Sequence, residues 1–264
     1  MKEDEIKKVV RKGYAKVARN SCCCSSSEFD EKIGYSKEEV RSVPEGANLN
    51  LGCGNPVALA SLKEGETVVD LGSGGGFDCF LASKRVGEKG KVIGVDMTSE
   101  MLDKARENCR KGKYGNVEFR LGEIENLPVA DNTADIIISN CVINLSPNKK
   151  RVFDEAFRIL KPGGRLMISD IVLLEELPQA IKKNVQAYIS CISGAVMKAR
   201  YLELIKDAGF ENVRIIEGNR FPADILDDPT AKAIVKETKA SEEDVRDFTN
   251  SIESIRVYGA KPKY

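Results

Sequence analysis

Histidine is the most informative absence in this chain. None of the 264 residues is histidine. The absence excludes a Ser-His-Asp triad, a Cys-His nucleophile pair and any metal site with imidazole ligands. Acid, base and ligand chemistry therefore falls to carboxylates, Lys, Tyr and the eight cysteines.

The chain also lacks a charge excess and long apolar runs. Lys plus Arg and Asp plus Glu each total 41, so no overall field attracts nucleic acid or an anionic membrane. No apolar run is long enough to span a bilayer, and the charged N-terminus lacks the apolar core of a signal peptide. We expect a cytoplasmic monomer with small-molecule ligands and no nucleic-acid or membrane partner. In that compartment its cysteines are free thiols, metal ligands or redox partners rather than a disulfide framework.

An alternation of strand and helix patterns begins at Thr67. The short apolar strands indicate burial on both faces, as in a parallel sheet. We therefore predict an α/β fold with a Rossmann-like, doubly wound, mostly parallel sheet of seven strands. The predicted strands cover 67–70, 91–96, 117–121, 134–139, 164–169, 213–216 and 255–260; the predicted helices cover 2–19, 77–86, 99–111 with Ser99 as its cap, and 149–160.

Three regions follow from this pattern. Residues 1–60 form an N-terminal appendage, with a mobile loop that carries Cys22, Cys23 and Cys24 in a serine-rich stretch. Residues 61–170 form the cofactor-binding core. Residues 171–264 form a substrate-binding segment and the last strands, with a mostly helical, charged insertion over 221–254. Tyr14 and Tyr35, in the appendage, could pack over the cofactor.

The segment Asp70–Gly76 is a glycine-rich turn after the first strand. Such turns also bind dinucleotides, but Phe77 occupies the position of the third, helix-packing glycine of that fingerprint. The spacing therefore favours S-adenosylmethionine, which has no phosphate to bind. Gly72, Ser73 and Gly74 would let the backbone approach this cofactor, and Asp70 would meet its amino group.

Further cofactor-binding candidates follow the other strands. Asp96 ends the second strand and is placed to bind both ribose hydroxyls, with Met97 next to it. Glu123 and Ile124 follow the third strand and Asn140 ends the fourth. Because ligands lie outside the carboxyl ends of parallel strands, we expect these side chains to surround adenine and methionine.

Three cysteines lie in separated, loop-like settings: Cys53, Cys141 and Cys191. Polarizable thiolate sulfur suits a soft metal or metalloid better than oxygen does. The alternative for Cys141 is a small buried apolar residue at a strand end. Cys79 and Cys109 lie within predicted helices, where packing is the simpler interpretation.

From about Tyr14 to about Asn219 the chain resembles the arsenite methyltransferases, within the larger class I S-adenosylmethionine-dependent methyltransferase family. The segments that carry the resemblance are Asp70–Gly74, Val95–Thr98, Ser139–Leu145 and the glycine-rich segment around Cys53. It implies that Cys141 and Cys191 bind As(III), that Cys53 is a further ligand or redox partner, and that an N-terminal cysteine forms disulfides with them. Three consecutive cysteines and a shorter C-terminal region are departures from that family.

The resemblance implies methyl transfer from S-adenosylmethionine to thiolate-bound arsenite and methylarsenite, with disulfides and a glutathione- or thioredoxin-like thiol reductant in the cycle. The arsenic lone pair would attack the sulfonium methyl in line, so a missing histidine is no obstacle. Two alternatives stay open. One is a methyltransferase of a quinone-like organic acceptor, which would tolerate loss of the thiols. The other is a non-enzymatic thiol module that binds soft metals without methyl transfer.

Overall fold

The computed structural model describes residues 3–20, 27–177, 179–182, 184–220 and 250–264. Cys22, Cys23 and Cys24 lie outside the described residues, and so does the predicted helical insertion from 221 to 249. Residues 252–254 of that insertion are in a strand. The prediction of helix is wrong there because their backbone pairs with residues 171–173.

Seven strands form one sheet in the described part of the chain. The strand order is β3-β2-β1-β4-β5-β7-β6, and β7 runs antiparallel to both of its neighbours. This confirms the predicted seven-stranded, mostly parallel sheet of a class I methyltransferase fold. The strands are β1 Thr67–Leu71, β2 Lys91–Asp96, β3 Val117–Leu121, β4 Ala134–Asn140, β5 Leu160–Leu173, β6 Glu211–Arg220 and β7 Ile252–Ala260.

The helices that connect the parallel strands match the sequence pattern, whereas the several short helices and the ten-residue helix Lys198–Asp207 lie outside the predicted set. The helix after β2 begins at Ser99, but Thr98 occupies the cap position, so the predicted Ser99 cap is wrong. The described helices are α1 Glu3–Asn20, α2 Ser27–Lys32, α3 Lys37–Arg41, α4 Pro56–Leu59, α5 Phe77–Val86, α6 Ser99–Gly112, α7 Lys149–Ile159, α8 Gln179–Lys182, α9 Val185–Ile189 and α10 Lys198–Asp207, with a 3₁₀ turn at Ile143–Leu145.

The central strands β1, β2 and β4 are buried on both faces of the sheet. Successive residues of a strand point to opposite faces, and in β4 Ile137 packs with Phe153 and Tyr201. Ile136, the residue before it, packs with Phe80 on the other face. Both isoleucines are inaccessible to solvent. Double-sided burial explains why the strands read as continuous apolar runs rather than alternating ones.

A third apolar cluster lies beyond the carboxyl ends of the strands. Val10 of α1 packs there with Ile181 and Ile252. The same cluster contains Cys53, Cys141 and Cys191. The N-terminal helix, the thiol segments and the residues after β5 are thus assembled over one edge of the sheet. Among the described residues, no helix has the length and apolar character that crossing a bilayer requires.

Candidate active site

A cavity opens at the carboxyl ends of β1, β2 and β4, where the strand order reverses direction. Clefts at such a reversal are the usual ligand sites of open α/β sheets. Its wall includes eight of the nine predicted cofactor residues: Asp70, Gly72, Ser73, Gly74, Asp96, Met97, Ile124 and Asn140.

Glu123, the ninth predicted residue, lies outside the described lining of this cavity. Its carboxylate pairs with Lys7, at 2.7 Å, and with Arg11, at 3.2 Å, both on α1. Glu125 lines the cavity instead. The chain turns after β3, so the side chain of Glu125, two residues after Glu123, faces the cavity.

The glycine loop is shaped by close packing. Gly72 has φ +71°, and a Cβ there would lie 2.4 Å from a methyl carbon of Val142. Gly74 has φ +51°, and its N–H donates to Asp96 Oδ2 at 3.0 Å. Ser73 has a buried hydroxyl without a hydrogen-bond partner among the described residues. The loop therefore presents backbone and an unpaired hydroxyl to a ligand.

Asp96 is held rigidly at the end of β2. Its Oδ1 accepts from the Thr98 N–H at 2.8 Å, and its Oδ2 accepts from Gly74. Burial raises the pKa of Asp96, while these backbone donors act in the opposite direction. Each carboxylate oxygen keeps a further lone pair, so the group is able to accept two hydroxyls side by side.

Two buried carboxylates face the cavity, Asp70 and Asp78. Burial and the charge of Asp78 raise the pKa of Asp70, whose carboxylate accepts from the Cys79 thiol at 3.2 Å. Burial also raises the pKa of Asp78, to about 6. Lys7, the one cationic side chain in the described lining, is paired with Glu123. The cavity is therefore suited to a ligand that brings positive charge.

The three predicted thiol residues lie together beside this cavity. Cys53 and Cys141 form a disulfide with a Cα–Cα distance of 5.9 Å, across a sequence separation of 88 residues. The Cys191 thiol donates to the Cys141 carbonyl oxygen at 2.6 Å. Cys141 also lines the cofactor cavity, so the two sites adjoin.

Comparison with known proteins identifies the family. A family model described as a methyltransferase domain matches residues 62–209. The arsenite methyltransferase of Halobacterium salinarum is 47% identical over 230 residues, which cover 80% of this chain and 59% of that protein. The arsenite methyltransferase of Aquipseudomonas alcaligenes is 36% identical over 238 residues, which cover 85% of this chain and 67% of that protein. The chain belongs to the arsenite methyltransferase family.

A solved structure agrees with this assignment. The crystal structure of an arsenic(III) S-adenosylmethionine methyltransferase from Chlamydomonas reinhardtii matches with a TM-score of 0.64 and 31% identity, over 93% of this chain and 73% of that chain. Membership in the arsenite methyltransferase family confirms the resemblance predicted from the sequence. The chain spans about three fifths of the length of the Halobacterium relative.

In this arsenite methyltransferase family member, two of the three thiol residues adopt a left-handed backbone. Cys141 has φ +59° and Cys191 has φ +64°. A side chain makes that region unfavourable, and such strain concentrates at functional sites. The Cys141 N–H donates to the Ser169 carbonyl at 2.8 Å, which holds the turn after β4 against β5.

The loop that carries Cys191 docks closely on the turn that carries Cys141. A Cβ at Gly194 would lie 2.1 Å from the Asn144 carbonyl oxygen, so only glycine fits there. The Tyr188 hydroxyl donates to the Leu145 carbonyl at 3.3 Å. Close packing is therefore the reason for glycine at position 194.

Asp170 lies beside the thiols and was not among the predicted site residues. One of its carboxylate oxygens and the sulfurs of Cys53 and Cys141 all lie within 4.8 Å of one another, and all three residues are buried. Asp170 accepts from the Tyr201 hydroxyl and from the Asn144 amide, both at 2.9 Å. Burial raises the pKa of Asp170 to about 7.

A buried cation lies behind the thiol site. Lys149 Nζ donates to the carbonyls of Asn144, at 3.3 Å, and Ser146, at 3.1 Å. Burial lowers the pKa of Lys149 to about 8. Burial raises the pKa of the Cys191 thiol to about 12, so this residue is a neutral thiol at physiological pH.

Proposed function

We propose that this chain transfers a methyl group from S-adenosylmethionine to trivalent arsenic bound by Cys53, Cys141 and Cys191. The observation that carries the proposal is the gathering of these three cysteines, from separate segments, next to a cavity that Cys141 shares. Three sulfurs suit three-coordinate, thiophilic arsenic. The substrates in this proposal are arsenite and methylarsenite.

The cavity fits S-adenosylmethionine in its chemistry. Asp70 and Asp78 would face the ammonium group, Asp96 would accept the ribose hydroxyls, and the unpaired Ser73 hydroxyl offers one further polar contact. Bound there, S-adenosylmethionine supplies an electrophilic methyl group. The cavity and the thiol site adjoin at Cys141, so the chain contributes alignment and exclusion of water rather than a general base.

Arsenite binding is a substitution at arsenic. Three thiols replace three hydroxyl groups, and each thiol proton leaves in a water molecule. The exchange needs reduced cysteines, so the Cys53–Cys141 disulfide is first opened by two electrons and two protons from an external thiol reductant. We place the glutathione- or thioredoxin-like reductant at this step.

In the proposed step an As–CH3 bond forms as the S–CH3 bond breaks and S-adenosylhomocysteine leaves, which oxidises arsenic formally from the trivalent to the pentavalent state. Two As–S bonds then break as their sulfurs join in a disulfide, so two electrons return to arsenic and restore the trivalent state. Water takes the vacated position as hydroxide and releases a proton, and the methylarsenic stays bound to the third sulfur. Cys53 and Cys141 are the pair whose geometry supports this step. In this proposal, one of Cys22, Cys23 and Cys24 serves as a further partner in disulfide exchange. The proposed enzyme is a monomer. Its cofactor region covers residues 61–170 and its substrate segment covers residues 171–264.

The decisive experiment follows labelled methyl from S-adenosylmethionine to arsenite in the presence of a thiol reductant. Native protein is compared with Cys141→Ser and with the matched control Cys109→Ser, which changes a thiol whose hydrogen bond goes to Tyr114 in another part of the fold. We expect labelled methylarsenic from the native protein and the control, and less than about a hundredth of it from Cys141→Ser. Equal product from all three would sink the thiolate mechanism.

The same experiment separates the alternatives. A methyltransferase of a quinone-like acceptor would bind cofactor but leave arsenite unlabelled, and it would tolerate loss of the thiols. A thiol module without enzymatic activity would bind arsenite with no methyl transfer under any condition.

A further inference from the structure

Asn140 stands between the cofactor cavity and the thiol loop. Its Oδ1 accepts from the Cys53 N–H at 2.9 Å. Its Nδ2 lies 2.7 Å from the Gly54 carbonyl, 2.9 Å from the Tyr35 hydroxyl and 3.1 Å from Asp78 Oδ2. One side chain thus contacts both the loop that carries Cys53 and two residues of the cavity wall.

The thiol loop wraps around this amide. A Cβ at Gly52 would lie 2.6 Å from Asn140 Nδ2, so only glycine allows the approach. The next two residues, Cys53 and Gly54, form the hydrogen bonds to it. The backbone position of Cys53 is therefore set by where the Asn140 amide points.

The Nδ2 group has more acceptors than protons. A primary amide carries two N–H donors, whereas three acceptors lie within hydrogen-bond distance. Gly54 belongs to the thiol loop, while Tyr35 and Asp78 belong to the cavity wall. A change in what Asp78 accepts therefore changes how strongly the amide holds Gly54.

We propose that Asn140 is a positioning residue that couples cofactor binding to the placement of Cys53. A ligand ammonium at Asp78 satisfies Oδ2, which frees an Asn140 N–H for the Gly54 carbonyl and fixes the thiol loop in place. Coupling of this kind is reciprocal, so bound arsenite tightens cofactor binding by the same factor. The inference rests on the proposed function for its two ligands.

The test measures arsenite affinity of the reduced protein by equilibrium dialysis, with and without saturating S-adenosylhomocysteine, which carries the same ammonium group. We expect the analogue to tighten arsenite binding about five-fold or more, in the range usual for coupled sites. In Asn140→Ala the ratio falls to about one. If Asn140 had only a structural role, Asn140→Ala would instead weaken arsenite binding equally with and without the analogue.

A second readout needs no arsenite. The alkylation rate of Cys53 in the reduced protein is followed by peptide mass spectrometry, with Cys109 as the internal reference. The analogue changes the Cys53 rate in native protein and leaves it unchanged in Asn140→Ala. The variant Asp78→Asn removes the charge on the cavity side but keeps the contacts of Asn140 with the thiol loop. We expect that in this variant, too, the analogue leaves the Cys53 alkylation rate unchanged.

The outcomes separate the two proposals. Absence of arsenite binding by the native protein contradicts the proposed function, while Cys53 alkylation still decides the coupling. A full analogue effect on Cys53 alkylation in Asn140→Ala overturns the coupling and leaves the proposed function standing. If Asn140→Ala does not fold, Asp78→Asn decides the question. A change in the Cys53 alkylation rate as large as in native protein, at saturating analogue, overturns the coupling.

Discussion

Cys141, one of the three proposed arsenic ligands, has a left-handed backbone. For a residue with a side chain, φ near +59° is unfavourable by about 1 kcal/mol relative to glycine. In reduced protein we therefore expect Cys141→Gly to be more stable than Cys141→Ala by about 1 kcal/mol, although both lose the thiol. Urea unfolding of the two variants measures the difference. Equal stability would mean that the turn relaxes out of this conformation.

Asp170 gives the fold a pH dependence of predictable sign. Burial raises its pKa from 3.8 to about 7, so between these values the fold retains a proton that the unfolded chain has lost. The free energy of unfolding then falls as pH rises through this window, by up to about 1.4 kcal/mol per pH unit from this group. Lys149, whose pKa is lowered to about 8, titrates above the window.

The Asp170→Asn variant isolates that contribution. Its unfolding free energy, measured in denaturant from pH 4 to pH 7, is expected to fall less steeply than that of the native protein. The Tyr201 hydroxyl can still donate to the new amide oxygen. Parallel curves for the two proteins would contradict a buried, protonated Asp170.

Sequence reasoning located the residues at strand ends because the ends of parallel strands meet. It singled out Asp96 and Asn140 in this way, and both line one cavity in the structure. Asp78 was missed because it lies inside a helix, although its place in the first turn after the glycine loop was an available signal. Asp170 was missed because β5 runs past it to Leu173, so no strand end marks it.

At the scale of elements, α1 contributes to the cavity through Lys7, Val10 and Tyr14. A Cβ at Gly13 would lie 3.0 Å from a methyl of Ile189 in α9, so this helix packs on α9 through a glycine. Helix propensity alone predicts that a larger residue at position 13 stabilises α1 by about 0.8 kcal/mol.

We nevertheless expect Gly13→Leu to weaken cofactor binding. The leucine pushes α1 away from α9, and cofactor affinity, measured by calorimetric titration, falls about ten-fold, equivalent to about 1.4 kcal/mol. The matched control is Gly115→Leu, because a Cβ at Gly115 has no neighbour within 4 Å. Native affinity in Gly13→Leu would show that α1 does not shape the bound state.

Helices and strands with a clear pattern of apolar residues were predictable from the sequence. Those formed mainly through tertiary contacts were not. α5 and β2 match their predicted bounds because each is a continuous apolar or amphipathic run between clear turns. α8 and α9 have four and five residues, too few to show a helical period. β6 extends to both sides of the predicted 213–216 because its backbone pairs with β7.

At the scale of the whole molecule, the Cys53–Cys141 disulfide ties the appendage to the core. It closes a loop with a sequence separation of 88 residues. Closing a loop of that size stabilises a fold by about 4.6 kcal/mol in the chain-entropy account. We expect reduction to lower the unfolding free energy by about this amount in denaturant titrations.

The double variant Cys53→Ser/Cys141→Ser is the control for that measurement. Its stability should match that of reduced native protein and should not respond to reductant. A reductant-sensitive double variant would indicate that another cysteine pair carries the effect.

The position of β7 gives the molecule an order of assembly. β7 comes last in sequence among the described strands, yet it lies between β5 and β6. During synthesis β6 therefore has no place in the sheet until Ile252–Ala260 has left the ribosome. The Ser254 hydroxyl on β7 donates to the Cys53 carbonyl at 2.8 Å, so the surroundings of Cys53 are complete only when β7 has been made, about 200 residues later in the chain.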